Sequence, residues 1–230
     1  MAYKSILTVA TNADNVPPTM LAAAAVSLHH DAHLDVLALG VDAAQVGNFN
    51  VGTSAGMLQL ALEHVELTAR AVEAAVRKAV TSEPPTLRWR LEAAITQLGA
   101  LTELVAHNAR FADLVILPKP YGPHVGTEAE AVIEAALFEG QAPVLVLPDK
   151  GLGTLPIDRV VIAWNQSREA IAATRHALPF LQAAKSVTIA VIDPPVSGAE
   201  RAEPGNTLCQ MLVRHGVRAE VLVLARTLPR

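Results

Sequence analysis

Four residues near one predicted helix end have the types that bind transition metals: His29, His30, Asp31 and His33. His29 and His33 are one helical turn apart, a spacing that zinc sites use. Histidines at a helix C-terminus are also favoured by the negative end of the helix dipole, without any metal. We interpret the cluster as a helix end and predict no metal site.

A second group of side chains suits the binding of an anion. Lys119, Tyr121 and His124 occur close together in a loop that also contains three prolines. A lysine ammonium beside a phenol and an imidazole would hold a phosphate or a carboxylate. The same residues would also decorate a rigid proline loop that binds nothing, so both interpretations stay open.

A catalytic nucleophile needs a base within reach, and the sequence offers no convincing pair. Ser54 lies between two glycines, but the segment does not join a predicted strand directly to a helix, as such a nucleophile requires. Glu63, His64 and Glu66 fall on a long amphipathic pattern, where charged residues are typical of a solvated face. We therefore predict that the protein is not an enzyme.

The elements that would position these residues are short strands separated by helices. Most strand-like runs are continuously apolar, as expected for a parallel sheet covered on both faces. Helical periodicity spans Gly56–Val80 and Leu101–Phe111. Two further helices are indicated by their starts: Pro17 and Pro18 suit a first helical turn, and Thr127–Glu130 has the form of a capping box. The predicted strands are Ser5–Thr11, Leu34–Val41, Leu87–Ala93, Leu114–Pro118, Val144–Leu147, Val160–Trp164, Val187–Ile192 and Ala219–Ala225.

Alternating strands and helices predict an α/β fold with a doubly wound parallel sheet. The sequence also repeats itself, because Lys4–Thr11 has a counterpart in Asp158–Asn165. Each copy continues through a polar loop and an Ala-rich helix to a strand that ends in a hydrophobe and an acid. We predict a complete domain over residues 1–148, a linker over 149–156, and a truncated second copy over 157–230.

Composition and charge exclude several classes of protein. A net charge of −4 and a pI near 6.1 give no electrostatic reason to bind nucleic acid. A single cysteine, Cys209, excludes an internal disulfide and suits a reducing compartment. No apolar run reaches the roughly 18–20 residues of a membrane span, and the first is too short for a signal peptide. We expect a cytoplasmic protein with no membrane or nucleic-acid partner.

The order and spacing of these motifs resemble a tandem universal stress protein. The resemblance is carried by Ile6–Ala10, which opens the first copy, Ala142–Pro148, which closes it, and Val160–Ala170, which opens the second. It implies a five-stranded parallel sheet of order 3-2-1-4-5, and a role as a non-catalytic stress-response regulator or protective factor. Many members bind ATP at the carboxyl ends of the strands, where the strand order reverses.

The resemblance also implies which residues would form the site. In the family, an acid after the first strand approaches the nucleoside, and a hydrophobe at the end of the second strand contacts the adenine. Thr11 and Asn165 stand at the position of the acid in the two copies. The candidate cofactor-binding residues are Thr11, Val41, Lys119, Tyr121, Asn165, Gln166 and Ile192.

The phosphate end of the first copy departs from the family pattern. Where glycines would offer amides to phosphate, this sequence has a proline loop, and prolines have no amide to donate. Glu130-Ala131 stands where Gly-Ser is expected, so a carboxylate would face the phosphates. We predict a degenerate site in the first copy and no ATP bound by this chain. ATP would be bound by the second copy of a full-length chain.

Two other functions stay open. One is a pure dimerisation or interaction module, and the other is an adenylate-chemistry enzyme of similar fold, which the missing phosphate-loop glycines disfavour.

The second copy stops at Arg230 after its third strand, which would leave Val160–Trp164 as a bare apolar edge. Because such edges pair with other chains, we predict a homodimer or a larger homo-oligomer.

Overall fold

The computed structural model describes residues 2–42, 55–122, 125–153, 155–192 and 204–225. The chain divides into two compact units, Tyr3–Gly153 and Thr154–Arg230, the second taking in Met1–Ala2. Each unit has a sheet and a hydrophobic core of its own. Two residues singled out in the sequence, Ser54 and His124, lie outside the described residues.

The first unit is the predicted α/β fold. Its five strands are parallel and lie in the order β3-β2-β1-β4-β5, which confirms the predicted 3-2-1-4-5 sheet. Its elements are β1 Ser5–Ala10, α1 Val16–His30, β2 His33–Asp42, α2 Ala55–Thr81, β3 Arg88–Gln97, α3 Leu98–Ala109, β4 Leu114–Pro118, α4 Thr127–Glu134, the π-helical turn Ala135–Glu139, and β5 Val144–Leu147.

The interior strands of this sheet are buried on both faces, because helices lie on each side. β1 and β4 are almost wholly buried, as their continuous apolar runs predict. On one face, Leu7 and Leu37 pack with Leu101 and Val105 of α3. Helices α1 and α2 pack together and contact β1 and β2. The sheet is therefore a rigid platform whose strand ends are left to form a site.

Local structure differs from the sequence prediction at two helix starts. Helix α3 begins at Leu98, directly after β3, rather than at Leu101. The capping box at Thr127–Glu130 is wrong: Gly126 is the extended N-cap residue, Thr127 is already helical, and no side chain caps the helix. A threonine can cap only from the non-helical position that precedes the first turn, and here glycine holds that position.

The second unit contains a sheet of three parallel strands in the order β6-β7-β8. Pro179 divides its Ala-rich helix into two short ones, since a proline inside a helix removes an amide donor. Among the described residues, no helix combines the length and apolar character needed to cross a membrane. The elements are β6 Arg159–Ala163, α5 Arg168–His176, α6 Leu178–Ala183, β7 Ser186–Ile192, α7 Asn206–Arg214 and β8 Ala219–Leu224.

Candidate functional site

A narrow cleft opens in the first unit where β1 and β4 end side by side. This is the point at which the strand order reverses, and open α/β sheets bind ligands at such points. Thr11 and Asn12 line the cleft after β1, and Lys119 lines it after β4. Thr8 of β1, Asn15, Thr19 of α1 and Glu128 of α4 also contribute to its polar lining.

A second, wider cleft adjoins the first at the carboxyl ends of β4 and β5. Lys119 lines both clefts, and Tyr121 and Asp149 line the second one only. The structure thus brings together three of the predicted site residues, because Thr11 and Tyr121 lie on either side of Lys119. His124 of the same loop is outside the described residues.

Lys119 is the central cation of this region, and its charge is already neutralised. Its ammonium Nζ lies 2.7 Å from the carboxylate Oδ2 of Asp149, and it donates a hydrogen bond there. The same Nζ lies 5.2 Å from the centre of the Tyr121 ring, within the range of a cation–π contact. The Lys119 side chain is only 26% exposed, so it is held in place at the cleft wall.

The charge around Lys119 is negative on balance. Among the described residues that line the two clefts, Glu128 and Asp149 are acidic and Lys119 alone is basic. Glu128 and Glu130 both lie in the first turn of α4, where they complement the positive end of the helix dipole. A phosphate in the cleft at this helix start would meet the Glu128 carboxylate as well as the backbone amides of the first turn.

The carboxylate that lines the cleft is Glu128, two residues before the one singled out in the sequence. Glu130 is exposed in the same turn and does not line either cleft. Sequence reasoning also missed Asn12 and Asp149. Asn12 could have been noticed because it directly follows Thr11, whereas nothing in the sequence links Asp149 with Lys119 thirty residues earlier.

The polar groups at the base of the cleft are engaged in holding the backbone. The buried Thr8 hydroxyl donates to the Ile116 carbonyl at 2.8 Å, which ties β1 to β4. The Asn12 side chain accepts a hydrogen bond from the Asp14 amide at 2.9 Å and caps the short turn before α1. We infer that these two side chains stabilise the backbone that forms the cleft and do not serve to bind a ligand.

Val41 is not brought into the cleft. It lies near the end of β2, on the far side of β1 from Lys119, and packs against the core beneath α3. Its half-buried side chain therefore serves the hydrophobic core.

The remaining candidates, Asn165, Gln166 and Ile192, belong to the second unit and so are not part of this cleft. Asn165 accepts a hydrogen bond from the Ser167 amide at 3.1 Å, and the Ser167 hydroxyl caps α5. Gln166 has a positive φ of 65°, which the tight turn into the helix imposes. Ile192 is 61% exposed at the end of β7.

The strongest perturbations of titrating groups lie at the amino ends of the strands, away from the cleft. A hydrogen bond from Lys4, together with the Arg88 charge, lowers the pKa of Asp31 below its ordinary value of 3.8. Burial raises the pKa of Tyr3 and lowers that of His30. Asp31 has a left-handed backbone and ends α1, so this cluster has a structural role. Within the described ranges, no three His, Cys, Asp or Glu side chains are placed to hold a metal.

Comparison with known proteins gives similarities of structure only. No protein-family model matches the sequence, and no curated protein matches it. Among solved structures, the chain is similar to the universal stress protein UspA from Lactobacillus plantarum, with a TM-score of 0.46, 20% identity, and coverage of 64% of this chain and 99% of that chain. It is also similar to the universal stress protein from Archaeoglobus fulgidus in complex with dAMP, with a TM-score of 0.33, 11% identity, and coverage of 64% and 98%.

Proposed function

We propose that this chain is a non-catalytic regulatory protein of the universal-stress-protein kind, and that the nucleotide site of its first unit is degenerate. The observation that carries the proposal is the ion pair between Lys119 and Asp149, which lies at the strand ends where a nucleotide would bind. In this proposal the first unit is a scaffold and does not sense ATP.

The electrostatics of the cleft support this function. A triphosphate would meet Glu128 and Asp149 as like charges, and each contact at about 4 Å costs roughly 1 kcal/mol even in water. The Lys119–Asp149 pair is itself easily broken, because Asp149 is 76% exposed and such pairs contribute at most about 1 kcal/mol. Breaking it would free the ammonium but would leave both carboxylates beside the ligand.

The loop that follows β4 also supports the proposal that the nucleotide site is degenerate. A phosphate-binding loop offers several backbone amides at close range, which glycines make possible. Here Pro118 ends β4 and Pro120 follows two residues later, and neither residue has a backbone amide to donate. Gly126 still precedes α4, but Glu128 follows it in the first turn.

A second candidate function is an interaction module that binds no nucleotide, and one observation favours it. β6 is the terminal strand of its sheet, and Val161 at its middle is 67% exposed. The Trp164 amide donates to Ala190 of β7, so alternate residues of β6 face β7 and Val161 directs its backbone groups outward. A second copy of the chain would pair with this edge and form a homodimer.

Calorimetric titration of the 230-residue chain with ATP tests the proposed function. We expect no saturable heat up to about 1 mM ATP, in parallel with an adenosine control. Tight ATP binding that is lost in Lys119→Met would contradict the degenerate site. Tight binding that survives Lys119→Met but is lost in Asn165→Ala would assign the nucleotide to the second unit, and the first would remain a scaffold.

A further inference from the structure

One face of the three-stranded sheet in the second unit presents exposed apolar side chains among the described residues. Its exposed side chains include Val161 at 67%, Ile192 at 61%, Leu222 at 46% and Leu224 at 41% exposure. We call this surface the open face, and define it as Val161 and Ala163 of β6, Ala190 and Ile192 of β7, and Leu222 and Leu224 of β8.

The strand register places these residues on one side. Ala163, Ala190 and Leu222 are direct neighbours across the three strands, and Ile192 neighbours Leu224. Successive side chains of a strand point to opposite faces, so the intervening residues face the other way. Those intervening residues, such as Ile162 and Ile189, form the core with Leu212 of α7.

The first unit shows how this protein covers a sheet face of the same construction. β1, β2 and β3 have the same order and direction as β6, β7 and β8, and α3 contacts all three of them. Leu101 and Val105 of α3 are fully buried there. Together with Ala109 they form an apolar stripe with a four-residue spacing, which is one face of a helix.

We infer that the open face is a docking surface for one amphipathic helix with a Leu, Val and Ala stripe at i, i+4 and i+8. The inference is independent of the cleft in the first unit, since it concerns only side chains of the second sheet. The helix would lie across the three strands as α3 does in the first unit.

The size of the open face favours a single helix over a second copy of the chain. Three strands about 4.8 Å apart and about 20 Å long present on the order of 300 Å². Two copies packed face to face would bury about twice that, well below the 1,200–2,000 Å² of a stable interface. A helix about 10 Å wide covers most of this face by itself.

Charge at one end of the open face indicates the direction of the helix. In the first unit, Asn108 in the last turn of α3 shares a small pocket with Asp35 and Arg90, at the amino half of the strands. Thr188 and Glu220 hold the matching register positions in the second unit. Glu220 is exposed and accepts a hydrogen bond from Thr188, so a helix with a basic residue in or just after its last turn complements it.

The probe that tests this inference is a peptide of residues 98–111, stapled between positions 103 and 107 because isolated helices of this length are marginal. Those positions are exposed in α3, so the staple leaves the apolar stripe free. We expect saturable binding of the labelled peptide to the full chain, measured by fluorescence anisotropy. A peptide with Leu101→Asp should bind at least tenfold more weakly. A peptide with Arg110→Glu should bind about threefold more weakly.

Variants of the chain locate the binding surface. Ile192→Asp and Leu222→Asp place charges on exposed positions of the open face and should each weaken the peptide at least tenfold. The matched control is Val213→Asp, because Val213 is 59% exposed on α7 and outside the open face. Far-UV circular dichroism and thermal unfolding identify any variant that does not fold, and another open-face position, such as Leu224→Asp, then replaces it.

Three outcomes would overturn the inference. The first is the absence of saturable binding of the stapled peptide. The second is binding to the Ile192→Asp variant as tight as to the parent chain. The peptide would then bind elsewhere, for example in the place of α3 in the first unit. The third is a dimer in light scattering that becomes a monomer in Ile192→Asp, because a second copy would then be the occupant.

Discussion

The ammonium Nζ of Lys119 lies 2.7 Å from the carboxylate Oδ2 of Asp149, and so joins the loops that follow β4 and β5. The two residues are 30 positions apart in the chain and meet because their strands are neighbours in the sheet. Lys119 also lines the cleft at the ends of β1 and β4, where the strand order reverses and open α/β sheets bind ligands.

The acidic lining of the clefts should control their affinity for anions. The double variant Glu128→Gln/Asp149→Asn leaves Lys119 as a free cation and removes two carboxylates. At roughly 1 kcal/mol per charge, we expect the affinity for pyrophosphate to rise on the order of 30-fold at low salt. The measurement is calorimetry, or NMR line shifts where binding is weak. Glu130→Gln/Glu134→Gln is the control, since it changes net charge equally at exposed positions. Equal gains in the two double variants would show that the lining has no specific effect.

The ion pairs of Asp31 should make the free energy of unfolding depend on pH in the acidic range. Because its pKa is lower in the folded state than the ordinary 3.8, the carboxylate stabilises the fold above that pH. This contribution is lost as the pH falls through the folded-state pKa. Asn tolerates the left-handed backbone, so Asp31→Asn removes the charge with little strain. In urea unfolding, the variant should be less stable than the parent at pH 7, and the difference should shrink towards pH 2. Asp14→Asn, at an exposed position, is the control, and a difference that does not vary with pH would contradict the prediction.

Leu101 should be an anchor of the first core. Its side chain is fully buried between α3 and the sheet, so Leu101→Ala removes apolar contacts and leaves a cavity. We expect a loss of about 2–5 kcal/mol in the unfolding free energy, measured by denaturant titration. Leu21→Ala, at a position that is 65% exposed, should change stability by less than about 0.5 kcal/mol. A loss below about 1 kcal/mol for Leu101→Ala would contradict its role.

The outward edge of β6 should govern self-association. Val161→Pro removes an amide that faces away from β7, so the sheet is kept while pairing at the edge is blocked. We expect the parent chain to dimerise in light scattering, and the proline variant to be monomeric. Val161→Thr retains the amide and should still dimerise. A parent chain that is monomeric at high concentration would exclude the edge-paired dimer.

Local patterns in the sequence were sufficient to predict most of the elements and the class of fold. The runs Leu114–Pro118 and Val144–Leu147 were predicted with the bounds that the structure has, because each is continuously apolar and followed closely by proline. Such signals are local, since strand and helix formation depend on residues a few positions apart. The form of a capping box correctly predicts a helix at Thr127, but the predicted cap is wrong, because the N-cap position is held by Gly126.

Tertiary structure alone decided which side chains meet. Lys119 pairs with Asp149, Glu128 rather than Glu130 lines the cleft, and Val41 belongs to the core. Parallel strand pairing brings β1 beside β4 across more than a hundred residues, and no local pattern records that pairing. The open face follows the same rule. In the sequence, its apolar residues have the pattern of ordinary strands. Only the three-dimensional arrangement shows that helices pack on one side of the second unit's sheet and that apolar side chains on the other side are exposed.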